Sequence, residues 1–263
     1  MLKQRILTAL IALSVLAIVL FFVPPVVARA AVVVLILAGA WEWGGFLAGE
    51  SNGARIAYTL FIGALVGALL VAQDNPLVVE NVFRLALVWW LSALVWMLFF
   101  PTPIPRALTW VCGALVLVPA WAALDFLYRQ APDLLIFVLL IVWVADIGAF
   151  FVGKGFGRVK LAPQISPGKT WEGVLGGLTA VVLLAAVGSR YFDIDVAVLV
   201  PFCVAVAMLS VVGDLTVSMF KRTAGIKDSG SLFPGHGGVL DRIDSVTAAS
   251  PLFALALAWA GLR

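Results

Sequence analysis

The stretch PDLLIFVLLIVWVADIGAFFV, residues 132–152, decides the fold class of this chain. Apart from Asp133 near its start and Asp146 near its end, every residue in it is apolar or small. An α-helix rises about 1.5 Å per residue, so a run of this length covers roughly the 30 Å hydrocarbon core of a bilayer. The stretch therefore predicts a transmembrane helix that carries a carboxylate, Asp146, close to one membrane surface.

Comparable apolar runs recur along the whole sequence. Hydrophobic residues make up 63% and charged residues 12% of the 263 residues, against about half and a quarter in soluble domains. This composition excludes a water-soluble fold and predicts an all-α, polytopic integral membrane protein. The predicted spans are residues 6–23, 30–48, 56–73, 83–100, 107–127, 132–152, 173–190, 194–219 and 244–262, which makes about nine transmembrane helices.

The basic residues predict how these spans are oriented. When the spans alternate in direction, most of the 17 lysines and arginines fall on the side of the N-terminus, and such residues concentrate on the cytoplasmic side. The N-terminus and loops 153–172 and 220–243 are therefore predicted to be cytoplasmic. Residues 6–23 are predicted to be a retained span, because they exceed the apolar region of a secretory signal.

Two acids inside predicted spans indicate where function lies. Intramembrane acids mark functional sites by default, although a salt bridge that fixes helix packing is the alternative. Asp146 shares a helical face with Lys154 if its helix continues that far. A second face, defined by spacings of four, seven and eight residues, carries Asp214, Ser218, Lys221 and Arg222.

The segment from Ser218 to Asp244 concentrates polar chemistry. It holds four basic residues, three acids, five glycines and His236, the chain's one histidine. Glycines let backbone amides approach phosphate, and lysine and arginine neutralise its charge, while Asp241 and Asp244 supply hard oxygen ligands that suit Mg²⁺. The segment predicts a nucleotide–metal site, with His236 as a phosphate hydrogen-bond donor or loop organiser ahead of a general base.

The loop near residues 153–173 adds matching cations beside the bilayer. Its Gly168-Lys169-Thr170 is not a P-loop, because Pro163 stands where that motif needs glycine. Binding of anionic lipid headgroups is an alternative purpose for its basic residues. The candidate substrate-binding residues in the two loops are Lys154, Arg158, Ser166, Lys169, Glu172, Gly237 and Gly238.

The Ser218–Asp244 segment resembles the signature of the phosphatidate cytidylyltransferases, or CDP-diacylglycerol synthases. That pattern is Ser, two residues, Lys-Arg, four residues, Lys-Asp, a spacer, His-Gly-Gly, two residues, Asp-Arg and Asp. The residues at its fixed positions are Ser218, Lys221, Arg222, Lys227, Asp228, His236, Gly237, Gly238, Asp241, Arg242 and Asp244. Residues 166–173 and the Asp146 segment also look like the family's second region, so the resemblance covers roughly residues 140–245.

The resemblance implies a reaction in which CTP and phosphatidate give CDP-diacylglycerol and diphosphate with Mg²⁺. It implies Asp214 and Asp241 as metal ligands, with Asp146 as a further candidate and K⁺ as a candidate second cation. The residues expected to form the catalytic polar pocket are Ser218, Lys221, Arg222, Lys227, Asp228, His236, Arg242 and Asp244.

The expected organisation is a single membrane-embedded domain over residues 1–263, with a helical scaffold over about 1–130 and a catalytic part over about 131–263. The active site is expected at the cytoplasmic ends of the C-terminal helices, in a bacterial-type cytoplasmic (inner) membrane. CTP, phosphatidate and membrane lipid are the expected partners, without nucleic acid, and the Gly63–Gly67 spacing leaves a homodimer open. The alternatives are a CTP-dependent lipid kinase and, with less support, a membrane transporter.

Overall fold

The structure of the chain is a computed structural model that describes residues 14, 16–48, 51–230 and 237–259. Most of these residues are helical. The α-helices are α1 (Pro25–Ala48), α2 (Asn52–Ala72), α3 (Pro76–Met97), α4 (Arg106–Gln130), α5 (Pro132–Phe156), α6 (Trp171–Tyr191), α7 (Val196–Thr223) and α8 (Leu240–Trp259). Between α5 and α6 the strands β1 (Lys160–Ala162) and β2 (Ser166–Thr170) form an antiparallel hairpin.

The helices confirm the prediction of an all-α polytopic membrane protein. Within the described residues, α1 to α7 are the seven helices long and apolar enough to cross a membrane, and each coincides with a predicted span. Half of the predicted span 6–23 lies outside the described residues, and its described part is helical at residues 14 and 16–21. The predicted span 244–262 falls on α8, which begins at Leu240, carries Asp241 in its first turn and continues through Asp244.

Helix α8 occupies the centre of the bundle. It packs against α1, α3, α4, α5 and α7, and its side chains are buried from Leu240 to Leu257 with few exceptions. Two of its hydroxyls are satisfied within the helix, since Thr247 donates to the Asp244 carbonyl at 2.6 Å and Ser250 to that of Val246 at 2.9 Å. The charged first turn of α8 is therefore held among other helices rather than against lipid.

Glycines bring the helices that carry the intramembrane acids close together. A Cβ atom on Gly177 of α6 would lie 2.5 Å from the Ala145 carbonyl oxygen of α5, and one on Gly213 of α7 would lie 2.6 Å from the Asp244 carbonyl oxygen of α8. Real Cβ atoms do not approach this closely, so glycine is required at these two crossings. The second crossing places Asp214, next in sequence to Gly213, beside the start of α8.

The β-hairpin is a feature that the sequence did not predict. Lys160 pairs with Thr170, and the register is irregular between Lys160 and Ala162. Arg222, near the end of α7, donates from Nε to the Ile165 carbonyl oxygen at 3.1 Å and so fastens the hairpin to the bundle. The hairpin extends from the end of α5 to the start of α6, close to where α7 ends.

A buried ion cluster lies at the end of the bundle away from the hairpin. Asp125 of α4 is 3% exposed and accepts from Arg29 of α1 at 2.6 and 3.2 Å. Arg129 Nε lies 3.1 Å from the same carboxylate, and Arg29 also donates to the Gln73 side chain that follows α2. The carboxylate thus joins α1, α4 and the end of α2.

We expect Asp125→Asn to lower the free energy of unfolding by about 3 kcal/mol, because it leaves two arginines without their buried counter-charge. Asp74→Asn is the matched control: Asp74 also faces Arg129, at 3.4 Å, but its side chain is 88% exposed, so we expect a change of about 0.5 kcal/mol or less. Tryptophan fluorescence during thermal unfolding in detergent measures both. Equal melting temperatures for the two variants would contradict the proposed role of Asp125.

Candidate active site

A lysine from the hairpin meets an acid from the membrane helices. Lys169 of β2 places Nζ 2.5 Å from Oδ2 of Asp214 on α7, and both side chains are about one quarter exposed. The other carboxylate oxygen accepts from Ser218 Oγ at 3.2 Å, one helical turn further along α7. The pair Asp214–Ser218 confirms the shared helical face predicted from their spacing, and Lys169 joins it from the predicted second region.

A second ion pair links α7 to the first turn of α8. Lys221 Nζ donates to Asp241 Oδ1 at 2.6 Å, and both side chains are less than 10% exposed. Oδ2 of Asp241 accepts from the backbone amides of Ser229 and Gly238, each at 2.9 Å. Asp241 therefore holds together the two stretches that flank residues 231–236, which lie outside the described residues.

Further charges surround these two pairs. Asp146 on α5 interacts electrostatically with Lys169, Asp214 and Arg242. The buried Asp244 on α8 interacts with Asp214, Lys221 and Lys169. The cluster thus combines carboxylates and cations contributed by α5, β2, α7 and α8, which are far apart along the chain.

A cavity of about 340 Å³ adjoins this cluster among α5, β2, α6 and α7. Its charged lining residues are Asp146, Lys154 and Lys169. Helix α5 extends to Phe156, which confirms that Asp146 and Lys154 belong to one helix. The other lining residues are small, apolar or uncharged: Ala145, Ala149, Phe150, Gly153, Gly168, Thr170, Gly173, Val174, Gly177, Leu178, Ala207 and Val211.

Two of the predicted site residues contact loop backbone. Besides its bond to Ile165, Arg222 donates from Nη1 to the Ile226 carbonyl oxygen at 3.4 Å, so it shapes the chain after α7. Glu172 accepts from the backbone amide of Val159 at 3.1 and 3.2 Å, and so holds the start of the hairpin to the start of α6. These contacts give both residues a structural part in placing Lys169.

The remaining predicted residues lie around the cluster with different exposures. Lys154, Arg158, Lys227, Asp228 and Arg242 are exposed, Ser166 and Gly237 are half-buried, and Gly238 is buried. Gly237 has a φ of 81°, in the left-handed region that favours glycine. His236 lies outside the described residues, so its predicted role stays a prediction.

Glu42 is a further acid, in the predicted span 30–48, and its sequence context does not decide whether it is structural or lines a cavity. Glu42, in the middle of an apolar run, is 6% exposed in the structure and accepts hydrogen bonds from Ser229, Val239 and Leu240. The only feature of the sequence that pointed to Glu42 is that it is an acid inside a predicted span. Nothing in the sequence indicated its hydrogen-bond partners. The structure brings Glu42 of α1 against the signature segment.

The donor atoms suit a hard divalent cation. In the described part of the chain, no three acidic, histidine or cysteine side chains form a ready metal cage. Proteins usually hold Mg²⁺ through one or two carboxylates, with water and substrate phosphates completing the shell. Asp214 is one quarter exposed and has Asp146 and Asp244 nearby, so this cluster fits such a site. The side chain of Asp241 is 8% exposed, and its oxygens accept from Lys221 and from two backbone amides.

Similarity to known proteins extends along nearly the whole chain. The model of the Cytidylyltransferase family matches residues 3–260. The chain is 44% identical over 269 residues to a phosphatidate cytidylyltransferase of Pseudomonas aeruginosa, covering 99% of this chain and 98% of the relative. It is 38% identical over 283 residues to one of Haemophilus influenzae, covering 96% and 97%. The similarity therefore includes the N-terminal half, where the sequence alone offered only a series of spans.

Proposed function

The chain belongs to the Cytidylyltransferase family, and from this premise we propose that its charged cluster joins CTP to phosphatidate, giving CDP-diacylglycerol and diphosphate. The protein is a nucleotidyltransferase of phospholipid synthesis, embedded in a membrane by its apolar helices. The observation that carries the site assignment is the convergence of Lys169, Lys221, Asp214 and Asp241 beside a cavity with charged and apolar lining.

The two lysines suit a reaction between two polyanions. CTP and the headgroup of phosphatidate repel each other, and positioned cations in a site of low dielectric constant reduce that repulsion most where charge develops in the transition state. In the structure, Lys169 forms an ion pair with Asp214 and Lys221 forms one with Asp241. We infer that substrate phosphates compete for these ammonium groups, so that Asp214 becomes free to accept another cation.

The adjoining cavity suits the lipid substrate. Lys154 and Lys169 offer ammonium groups to the phosphate of phosphatidate, and the apolar lining that includes Phe150 and Leu178 offers contact to the first part of the acyl chains. The reacting headgroup would then sit against Lys169, which reaches the Asp214 cluster.

The chemical step is a displacement at the α-phosphorus of CTP. A phosphate oxygen of phosphatidate forms a bond to that phosphorus, the bond to the β-phosphate oxygen breaks, and diphosphate leaves with the electron pair. A phosphate monoester loses its second proton with a pKa of about 6, so the attacking oxygen is largely ionised at neutral pH. The site therefore needs cations that hold the reactants in line more than it needs a general base.

Asp214, with Asp146 and Asp244 near it, would hold Mg²⁺ in this proposal. When bound, the ion would supply charge neutralisation for the phosphates of CTP. Ser218 donates to Asp214 Oδ1 and fixes the rotation of its carboxyl group.

We also propose that the site faces the cytoplasm from a bacterial inner membrane. Basic residues at the end of α5, in the hairpin and at the end of α7 gather on the site's side of the bundle, as the positive-inside rule requires of a cytoplasmic face. CTP would reach the site from water and phosphatidate from the bilayer.

Isotopic labelling distinguishes nucleotidyl transfer from lipid phosphorylation. Purified protein in detergent–phosphatidate micelles with Mg²⁺ receives CTP labelled at the α- or the γ-phosphate in parallel reactions. We expect the α label in the lipid product and the γ label in diphosphate, with none in lipid without protein. Lipid that carries the γ label instead would identify a CTP-dependent kinase and overturn the proposed function.

A further inference from the structure

Glu42 lies on α1, outside the segment that carries the signature, and its side chain is 6% exposed. Its carboxylate accepts three hydrogen bonds. Oε1 accepts from the Val239 amide at 2.9 Å, and Oε2 accepts from the Leu240 amide at 2.8 Å and from Ser229 Oγ at 2.7 Å. All three donors belong to the signature segment, almost 200 residues away along the chain.

These contacts make Glu42 the cap of a helix to which it does not belong. Leu240 is the first residue of α8 and Val239 precedes it, so their amides are among those that a helix leaves unpaired at its start. A carboxylate there satisfies the amides and also meets the positive end of the helix dipole. The start of α8 is thus fixed to α1.

Two glycines of the signature segment make room for this carboxylate. A Cβ atom on either Gly230 or Gly238 would overlap the carboxylate oxygens of Glu42. Glycine at these positions is therefore required by the close approach of the loop to Glu42.

The part of α1 around Glu42 is held in place by contacts of the neighbouring Trp43. Trp43, the residue after Glu42, is fully buried and donates from Nε1 to the Thr109 carbonyl oxygen at 3.0 Å. Its ring centroid lies 5.0 Å from that of Phe220, the neighbour of Lys221 on α7. Trp43 therefore links α1, next to Glu42, to the helix that carries Asp214 and Lys221.

Ser229 connects Glu42 to the proposed reaction centre. Its hydroxyl donates to Glu42, and its backbone amide donates to Asp241, the carboxylate that pairs with Lys221. Displacing Ser229 or the start of α8 would move Asp241, and with it the ammonium group of Lys221.

We propose that Glu42 is a positioning residue for nucleotidyl transfer: it fixes the first turn of α8 and, through Ser229, the Asp241–Lys221 pair. The inference rests on the proposed function, because it assigns Glu42 a part in that reaction. Glu42 acts through hydrogen bonds to the protein and does not touch the reacting atoms. It also extends the site into the N-terminal half, which the sequence predicted to be a scaffold.

The test compares Glu42→Gln with Glu80→Gln, a control acid on α3 that pairs with Arg84. In Glu42→Gln the side-chain NH2 group, a hydrogen-bond donor, replaces one of the oxygens that accept from the backbone N–H groups at the start of α8. We expect the start of α8 to shift and kcat to fall about 100-fold, which is the cost of a displacement of about 1 Å at a reacting group. The KM for CTP is expected to change less than about threefold, because the loss lies in positioning rather than in binding. Glu80→Gln is expected to leave both constants unchanged.

Two further measurements separate positioning from a general loss of structure. Hydrogen exchange is expected to accelerate at the Val239 and Leu240 amides in Glu42→Gln while the middle of α8 stays protected. Ser229→Ala removes the connecting hydroxyl and is expected to lower kcat about tenfold, with the double variant no slower than Glu42→Gln alone. Fully multiplicative losses in the double variant would overturn the proposed connection.

The remaining outcomes also test the positioning role of Glu42. A folded Glu42→Gln enzyme with kcat within about threefold of wild type overturns the inference, and so does lost activity with unchanged exchange at Val239 and Leu240. If Glu42→Gln does not fold, the kcat of Ser229→Ala tests the inference: the expected tenfold decrease supports it, and an unchanged kcat overturns it. If wild type forms no CDP-diacylglycerol, the proposed function fails, while the exchange data still decide whether Glu42 fixes the start of α8.

Discussion

Asp214→Asn is expected to lower kcat about 1,000-fold while the protein stays folded. The substitution keeps the shape of the side chain but removes the negative charge beside Lys169 and Ser218. It removes the carboxylate best placed to accept Mg²⁺, and a lost electrostatic contact to a developing charge costs about 100- to 1,000-fold in kcat. Because the Asp214 side chain is one quarter exposed and is not a packing residue, the melting temperature is expected to stay near that of wild type.

The matched control for Asp214→Asn is Asp133→Asn. Asp133 lies in the first turn of α5, at the other end of that helix from Lys154, and accepts from the Tyr191 hydroxyl at 2.8 Å. It is expected to keep full activity in the same micelle assay at several Mg²⁺ concentrations. If Asp214→Asn retains more than about one tenth of wild-type kcat, Asp214 is not the metal-binding carboxylate.

Local periodicity was sufficient to predict contacts within one helix. The spacing of four residues predicted that Asp214 and Ser218 share one helical face, and in the structure the two side chains on that face form a hydrogen bond. The position of Lys154 relative to Asp146 was also predictable once α5 was long enough to include both.

Contacts between elements distant in sequence were not predictable in the same way. The approach of Lys169 to Asp214 depends on the hairpin, whose strand β2 contains Pro167 and Gly168, two residue types that are depleted in strands. Arg222 was expected to form part of the catalytic polar pocket, and in the structure it donates to the backbone of that hairpin. The position of the Arg222 side chain is determined by the packing of α7 against the hairpin. Helical spacing does not specify that packing.

Acids in apolar runs give the same sequence signal but differ in their surroundings. Asp125 meets two arginines and ties helices together. Glu42 meets backbone amides and a hydroxyl, and so fixes the start of a helix. Asp214 meets a lysine and a serine beside a cavity and stays partly exposed. Only the third arrangement leaves a carboxylate accessible to substrate, and that difference arises from tertiary packing.

The role of Asp241 shows how the structure sharpens an expectation from the sequence. The resemblance implied a metal ligand, whereas the structure engages one oxygen with Lys221 and the other with two backbone amides. A carboxylate in these contacts can affect catalysis by placing Lys221, without touching a metal. The two roles predict equal losses of activity but different dependences on Mg²⁺.

Asp241→Asn is therefore expected to lower kcat about 1,000-fold, and its response to Mg²⁺ and its coupling to Lys221 identify the cause. Asparagine lacks the charge that orients the Lys221 ammonium group. Removing one partner of a buried ion pair costs about 3–5 kcal/mol. If that whole cost raises the activation free energy, kcat falls about 100- to 4,000-fold. If Asp241 acts by placing Lys221, then Lys221→Met alone has a similar effect, the double variant is no slower than either, and raising Mg²⁺ restores nothing. If Asp241 binds the metal, excess Mg²⁺ recovers part of the activity of Asp241→Asn but none of Lys221→Met. Wild-type turnover by a folded Asp241→Asn enzyme would contradict both roles, because each requires the negative charge at this position.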